Sequence, residues 1–110
     1  MKKVNVLAAC ALGCSITFFT SKMIEEAKKH DIDLSIVHNS VDEVYVMDLL
    51  AYDVILVAPQ VRWHATRIRE MVDGKVPVEE INGQVYAILD GKKGFELYIL
   101  PHVKDIKAKK

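Results

Sequence analysis

Cys10 and Cys14 bracket a short stretch near the start of the chain, and Ser15 and Thr17 bring hydroxyls directly after it. Gly13 sits between them with small side chains around it, Ala11, Cys14 and Ser15. An apolar run, Val4 to Ala9, delivers Cys10 to its C-terminal end and reads as a short buried strand. Phe18 to His30 reads as a helix. A nucleophile between a strand end and a helix N-terminus meets backbone N–H groups that lack intrahelical partners. The helix dipole adds partial positive charge there. Such a place binds phosphate and favours a thiolate over a thiol. Cys10 is therefore expected to carry a phosphoryl group. The competing reading is a buried structural thiol, since unpaired cysteines are among the most buried residues.

The other candidates carry weaker signals. Cys14 reads as a core or loop thiol, with a redox partnership to Cys10 as the alternative. Gly13 meets a backbone requirement and a close phosphate approach at once. Ser15 or Thr17 fits as helix N-cap, and either hydroxyl also suits a phosphate. Gln60 either begins a helix or faces the Cys10 loop. Arg62, His64, Arg67 and Arg69 put positive charge on one helix, a solvated face or a docking surface for partner proteins. His30, His38 and His102 have no Cys, Asp or His at ligand spacing, so no metal site and no cofactor are expected.

Composition narrows the function classes. The chain has 110 residues, which fits one domain, and its 51% hydrophobic content is enough for a proper core. Fifteen basic and fifteen acidic residues cancel. A nucleic-acid binder would show a basic excess. Two cysteines do not make a disulfide framework, so a reducing, cytoplasmic setting is expected. No apolar run approaches the roughly 18 residues of a membrane span. Met1-Lys2-Lys3 followed by apolar residues up to Cys10 imitates a lipoprotein signal. The imitation fails on length, because Val4 to Ala9 is shorter than the roughly 7–15 apolar residues a signal needs and contains Asn5.

The positioning elements alternate. Strand one, Val4 to Ala9, is apolar on both faces except for Asn5, as in a central parallel strand. Helix one turns Ile16, Phe19, Met23, Ile24 and Ala27 to one side. Strand two spans Leu34 to His38. Ser40-Val41-Asp42-Glu43 reads as a capping box, opening a second helix whose apolar side is Val41, Val44, Tyr45 and Met47 to Leu50. Strand three, Val54 to Ala58, is uniformly apolar, opened by Asp53 and stopped by Pro59. Helix three runs from about Val61 to Val72 with Val61, Ala65, Ile68, Met71 and Val72 inward, and ends at Asp73-Gly74. Strand four, Val76 to Ile81, is expected at an edge because Pro77 cannot donate to a ladder. Gln84 to Leu89 is ambiguous, one helical turn or two. A last helix carries Phe95, Tyr98, Ile99, Val103 and Ile106, kinked or cut short at Pro101, ahead of a frayed tail with Lys104, Lys107, Lys109 and Lys110. Strands alternating with helices and right-handed crossovers give a small open α/β sheet with helices on both faces. Ligands of such sheets bind beyond the C-terminal strand ends, where Cys10 meets Pro59-Gln60-Val61.

The chain resembles the IIB component of the lactose/cellobiose class of the sugar phosphotransferase system. The family's loop is Cys, two small residues, Gly, Met, Ser and hydroxyl residues; here it reads Cys10-Ala11-Leu12-Gly13-Cys14-Ser15-Ile16-Thr17. Its second mark, Gly-Pro-Gln or Ala-Pro-Gln after strand three, is Ala58-Pro59-Gln60 here, followed by Val61-Arg62. Its third, a Tyr-Gly segment leading to Asp-Gly or Asn-Gly, is partly matched by Tyr86-Ala87-Ile88-Leu89-Asp90-Gly91. The resemblance implies a four-stranded parallel sheet of order 2-1-3-4, close to that of low-molecular-weight tyrosine phosphatases. It implies Cys10 as the catalytic residue, phosphate held by residues 11–17, and Pro59, Gln60 and Arg62 as loop or partner contacts. It also implies two partners: a IIA component that donates from a phosphohistidine, and a membrane component IIC that brings the sugar. The β-linked disaccharides cellobiose, chitobiose and lactose all remain open.

Leu12, Cys14 and Ile16 depart from the family pattern. They leave fewer side-chain donors, a small loss if backbone N–H groups hold the phosphate. Ile16 also bears on the alternative function, a phosphatase or arsenate reductase on the same fold. Those hydrolases need Cys, five residues and then an Arg that clamps the phosphate. Ile16 occupies the Arg position, and no obvious general-acid Asp loop follows. A third reading, a plain α/β binding or regulatory domain, is weak as a response-regulator receiver, which needs an Asp at a strand end and an acidic pair, because Asp53 opens its strand.

Overall fold

β1 (Lys2–Cys10) is the strand about which the sheet is laid. In the computed structural model, which describes residues 2–11 and 16–103, it pairs in parallel with β2 (Ile32–Ser40) on one side. On the other side it pairs with β3 (Val54–Val57), and β3 pairs with β4 (Val78–Glu80). The order is β2-β1-β3-β4, all parallel, as the resemblance implied. From Val4 to Cys10 every residue but Asn5 is buried, because β1 has neighbours on both sides and helices against the sheet. Asn5 is accounted for by Asp53: the Asn5 N–H donates to Asp53 Oδ2, and the Asp53 N–H donates back to Asn5 O, both at 2.8 Å.

α1 (Ile16–Lys29) packs its apolar stripe, Ile16, Phe19, Met23 and Ala27, into the core, with Ile24 half-buried at its margin. It starts two residues earlier than expected. Thr17 therefore lies inside the helix and is not its N-cap; its carbonyl accepts from Thr20 Oγ1 at 3.2 Å. Ser15 lies outside the described residues, as do Leu12, Gly13, Cys14, Ile106 and the lysine tail.

The second helix is shorter than its apolar spacing suggested. α2 is only Val41–Val44, followed by turns and a 3-10 segment, Leu49–Ala51. Val44 and Leu49 enter the core, whereas Leu50 is 53% exposed. Glu43 fulfils its half of the box, accepting from the Ser40 N–H at 3.2 Å and the Ser40 hydroxyl at 3.1 Å. Pro59–His64 is a 3-10 stretch broken at Val61 (φ −127°), and only then does α3 (Ala65–Val72) begin. Ala65, Ile68 and Val72 point inward; Met71, expected with them, is 43% exposed. Arg69 is committed to the fold, donating to Glu80 Oε2 and Val78 O at 3.0 Å each. Asp73 takes the left-handed C-cap (φ 49°), so Asp73-Gly74 ends α3 as expected.

Pro77 lies just before β4, and its carbonyl accepts from Ile55 N–H at 2.9 Å. The ambiguous segment resolves as α4 (Gly83–Ala87), capped by Asn82 Oδ1, which accepts from the Gln84 and Val85 N–H groups. The last helix begins earlier than predicted. α5 (Gly91–Gly94) is capped by Asp90 and continues through a π-helical stretch (Phe95–Ile99) into α6 (Leu100–Val103). Pro101 neither ends it nor stands alone as its irregularity. The Leu100 N–H reaches back five residues to Phe95 O, so the register has widened before the residue that lacks an N–H. Gly91 and Gly94 permit a close crossing with α1: a Cβ on Gly91 would lie 2.2 Å from Lys22 Cβ, and one on Gly94 would lie 2.5 Å from Phe19 Cζ.

Candidate functional site at the C-terminal edge of the sheet

Cys10 is the last residue of β1 and is only 8% exposed. Parallel register sets it opposite Ser40, the last residue of β2. Its thiol donates to the carbonyl oxygen of Asn39 at 3.6 Å. On the β3 side, the Ala58 N–H donates to Ala9 O at 2.9 Å, holding the exit of β3 level with the end of β1. The next residues, Pro59 and Gln60, begin the 3-10 stretch at that edge.

Of the other expected loop residues, Ala11 is half-buried and packs on the core. The readings for Leu12, Gly13, Cys14 and Ser15 fall outside the described residues. Ile16 is 2% exposed, so its side chain belongs to the core and only its backbone N–H is left to serve an anion. Thr17 is exposed in the first turn of α1.

Pro59, Gln60 and Arg62 do come together. With Gly83, Tyr86, Ala87 and Leu89 they line a cleft of about 590 Å³. Arg62 bends back over its own turn, Nη1 lying 3.5 Å from Pro59 O. Tyr86 belongs to the partly matched third motif, and its ring lies 5.7 Å from that of Phe19. Its hydroxyl is a buried atom without a hydrogen-bond partner among the described residues.

The cationic face on helix three is partly spoken for. Arg69 is tied to β4, while Arg67 stacks over Tyr45, its guanidinium 5.5 Å from the ring centroid. Tyr45 Oη and His64 Nδ1 are 2.5 Å apart. Trp63 beside them is 68% exposed.

A polar pair that the sequence reading passed over lies beneath the site. Thr20 is 1% exposed, and its Oγ1 is 2.7 Å from His38 Nε2. Burial pushes the His38 imidazole below its ordinary value. The available signal for His38 was its place on a strand two residues before the strand end that faces Cys10. Among the described residues, no group of three His, Cys, Asp or Glu is placed to hold a metal ion. Among them, too, no helix is long and apolar enough to cross a membrane.

The fold is thus a small α/β domain with a four-stranded parallel sheet of order β2-β1-β3-β4 and a cysteine at the end of its first strand. Residues 5–97 match the family described as the lactose/cellobiose-specific IIB subunit of the phosphotransferase system, and the chain belongs to that family. It is 30% identical over 97 residues to the oligo-beta-mannoside-specific EIIB component of Bacillus subtilis, covering 87% of this chain and 91% of that protein. Its fold is that of the lactose-specific IIB domain of Streptococcus pneumoniae, with a TM-score of 0.77 and 21% identity over 92% of this chain and 98% of the other. The solution structure of the cellobiose-specific IIB protein of Borrelia burgdorferi is similar at a TM-score of 0.68 and 28% identity, over 97% of each chain. The chain is thus a component of a sugar phosphotransferase system.

Proposed function

We propose that Cys10 is the phosphocarrier of this IIB component, receiving its phosphoryl group from a IIA phosphohistidine and passing it to a sugar presented by the membrane component IIC. The observation that carries this reading is the position of Cys10, at the C-terminal end of the central strand and level with the Pro59-Gln60 exit of β3. The Cys10 thiolate attacks phosphorus; the S–P bond forms as the P–N bond breaks, and the electron pair leaves with the imidazole nitrogen. A sugar hydroxyl then attacks, the S–P bond breaks, and the thiolate is regenerated. The hydroxyl proton passes to a base outside this chain. Backbone N–H groups of residues 11–17, at the positive end of α1, hold the phosphoryl oxygens.

Ile16 supports a carrier over a hydrolase. Hydrolysis needs a donor for the spreading charge and help for the leaving thiolate, and a buried isoleucine supplies neither. Pro59, Gln60 and Arg62 serve as contacts for the loop or its partners. The sugar is a β-linked disaccharide, in keeping with relatives named for lactose, cellobiose and oligo-β-mannosides. Residues 1–110 act as one IIB domain in the cytoplasm, without a cofactor or metal of their own.

The test is phosphoryl labelling. Incubated with phosphoenolpyruvate, the general phosphotransferase proteins and a cognate IIA, the chain should gain one thiol-linked phosphate. Peptide mapping should find it at Cys10. Labelling that persists in Cys10→Ser at an unchanged rate rejects the assignment.

A further inference from the structure

We propose that the hydroxyl of Tyr86 donates a hydrogen bond to the phosphoryl group carried by Cys10, supplying a side-chain donor that Ile16 does not; this rests on the carrier reading above. Tyr86 is 8% exposed, and its hydroxyl oxygen is buried with no hydrogen-bond partner among the described residues. A buried phenol left unpaired costs stability, and such a group in a native fold calls for a reason. Replacing it by phenylalanine would remove the cost at no loss of packing. A hydroxyl retained at that cost is accounted for by a partner that arrives only during turnover.

The surroundings say which partner. One side of Tyr86 rests on Phe19, a fully buried residue in the first turn of α1. On the other side it lines the cleft shared with Pro59 and Gln60, at the β3 exit that the Ala58-to-Ala9 hydrogen bond holds level with Cys10. Both sides reach the end of β1: Thr20, next to Phe19, lies 2.7 Å from His38, which stands opposite Ala8 in the sheet, and the Ala58 N–H donates to Ala9 O. The position is fixed from behind. Asn82 caps α4, and its own N–H donates to Tyr98 Oη at 2.7 Å. Gly94 lets the last helix press on Phe19. A phenol is both donor and acceptor, and a phosphoryl group brings three acceptor oxygens and negative charge, the combination that makes the stronger hydrogen bonds. The phenol donates a hydrogen bond and transfers no proton; the bonds made and broken are those of the transfer itself.

The experiment compares the full chain with Tyr86→Phe in two assays. Without phosphate, urea unfolding of Tyr86→Phe should show a midpoint equal to or above that of the wild type, because an unpaired hydroxyl has been removed. With phosphoenolpyruvate, the general phosphotransferase proteins and IIA, its rate of Cys10 labelling should fall roughly ten- to a hundredfold, the scale of a hydrogen bond to a charged group. A fall of less than threefold, or a lowered midpoint in the unphosphorylated chain, overturns the proposal. If the wild type itself never labels at Cys10, the carrier reading fails and takes this one with it. If the wild type labels normally and Tyr86→Phe labels equally fast, this proposal alone fails.

Discussion

Thr20 Oγ1 joins the first turn of α1 to β2: it lies 3.2 Å from the carbonyl oxygen of Thr17 and 2.7 Å from His38 Nε2. The hydroxyl has one proton: given to Thr17 O, it leaves the oxygen to accept from His38 Nε2–H; given to His38, it meets an unprotonated Nε2. Burial holds the imidazole below its ordinary value. Below about pH 6.5 the unfolded chain therefore takes up a proton that the folded chain refuses, and stability falls as pH falls through that window. Urea midpoints measured between pH 8 and 5 should decline for the wild type and decline less for His38→Gln. Equal slopes would show that His38 contributes nothing to the pH response.

Acid acts separately on Glu43. The Ser40 N–H, then the Ser40 hydroxyl and the Asn39 side chain, hold its carboxyl below the usual glutamate range. That stabilisation is complete above the ordinary glutamate value and is lost as pH falls through the lowered one. Glu43→Gln should be less stable than the wild type at pH 7, and the gap should close towards pH 3. Thermal melts at both pH values check this.

The two cysteines should separate cleanly. Cys10→Ser should lose phosphotransfer while keeping its circular dichroism spectrum, because an alcohol is far less ionised than a thiol. Cys14→Ala should keep most of its activity. A dead Cys14 variant beside an active Cys10 variant would reverse the assignment.

Isolated from its partners, the chain should turn over p-nitrophenyl phosphate negligibly while exchanging phosphate readily with phosphorylated IIA. Robust steady-state hydrolysis that vanishes in Cys10→Ser would favour the phosphatase reading.

The crossing of the last helix with α1 should tolerate no side chain at Gly91. A Cβ there would meet Lys22 Cβ at 2.2 Å, the Lys22 carbonyl carbon at 2.7 Å and the Met23 nitrogen at 2.8 Å. Two of these are backbone atoms, which cannot swing aside. Gly91→Ala should cost about 3 kcal/mol, at the upper end of overpacking costs, read as a lowered urea midpoint. Gly83→Ala, with nothing within 4 Å, is the control.

Several features were legible in the residues because they depend on neighbours in sequence. The run Val54-Ile55-Leu56-Val57 has no polar face, so it had to be a strand covered on both sides. Pro59 ends it by chemistry that acts within one residue, and Asp73-Gly74 closes α3 in the same way. Cys10 closes an apolar run with a helix soon after, and it is the last residue of β1. Tertiary structure decided what local patterns leave open. The spacing from Val41 to Leu50 satisfies a helix, yet the helix stops at Val44, and turns and a 3-10 segment take the chain to Ala51. Met71 fits the inward stripe of α3, yet it stays 43% exposed. The pairing of Thr20 with His38 and the burial of the Tyr86 hydroxyl are contacts between residues distant in the chain. Periodicity reports which face of an element is apolar; which polar atoms meet, or are left without a partner, depends on how the elements are laid against one another.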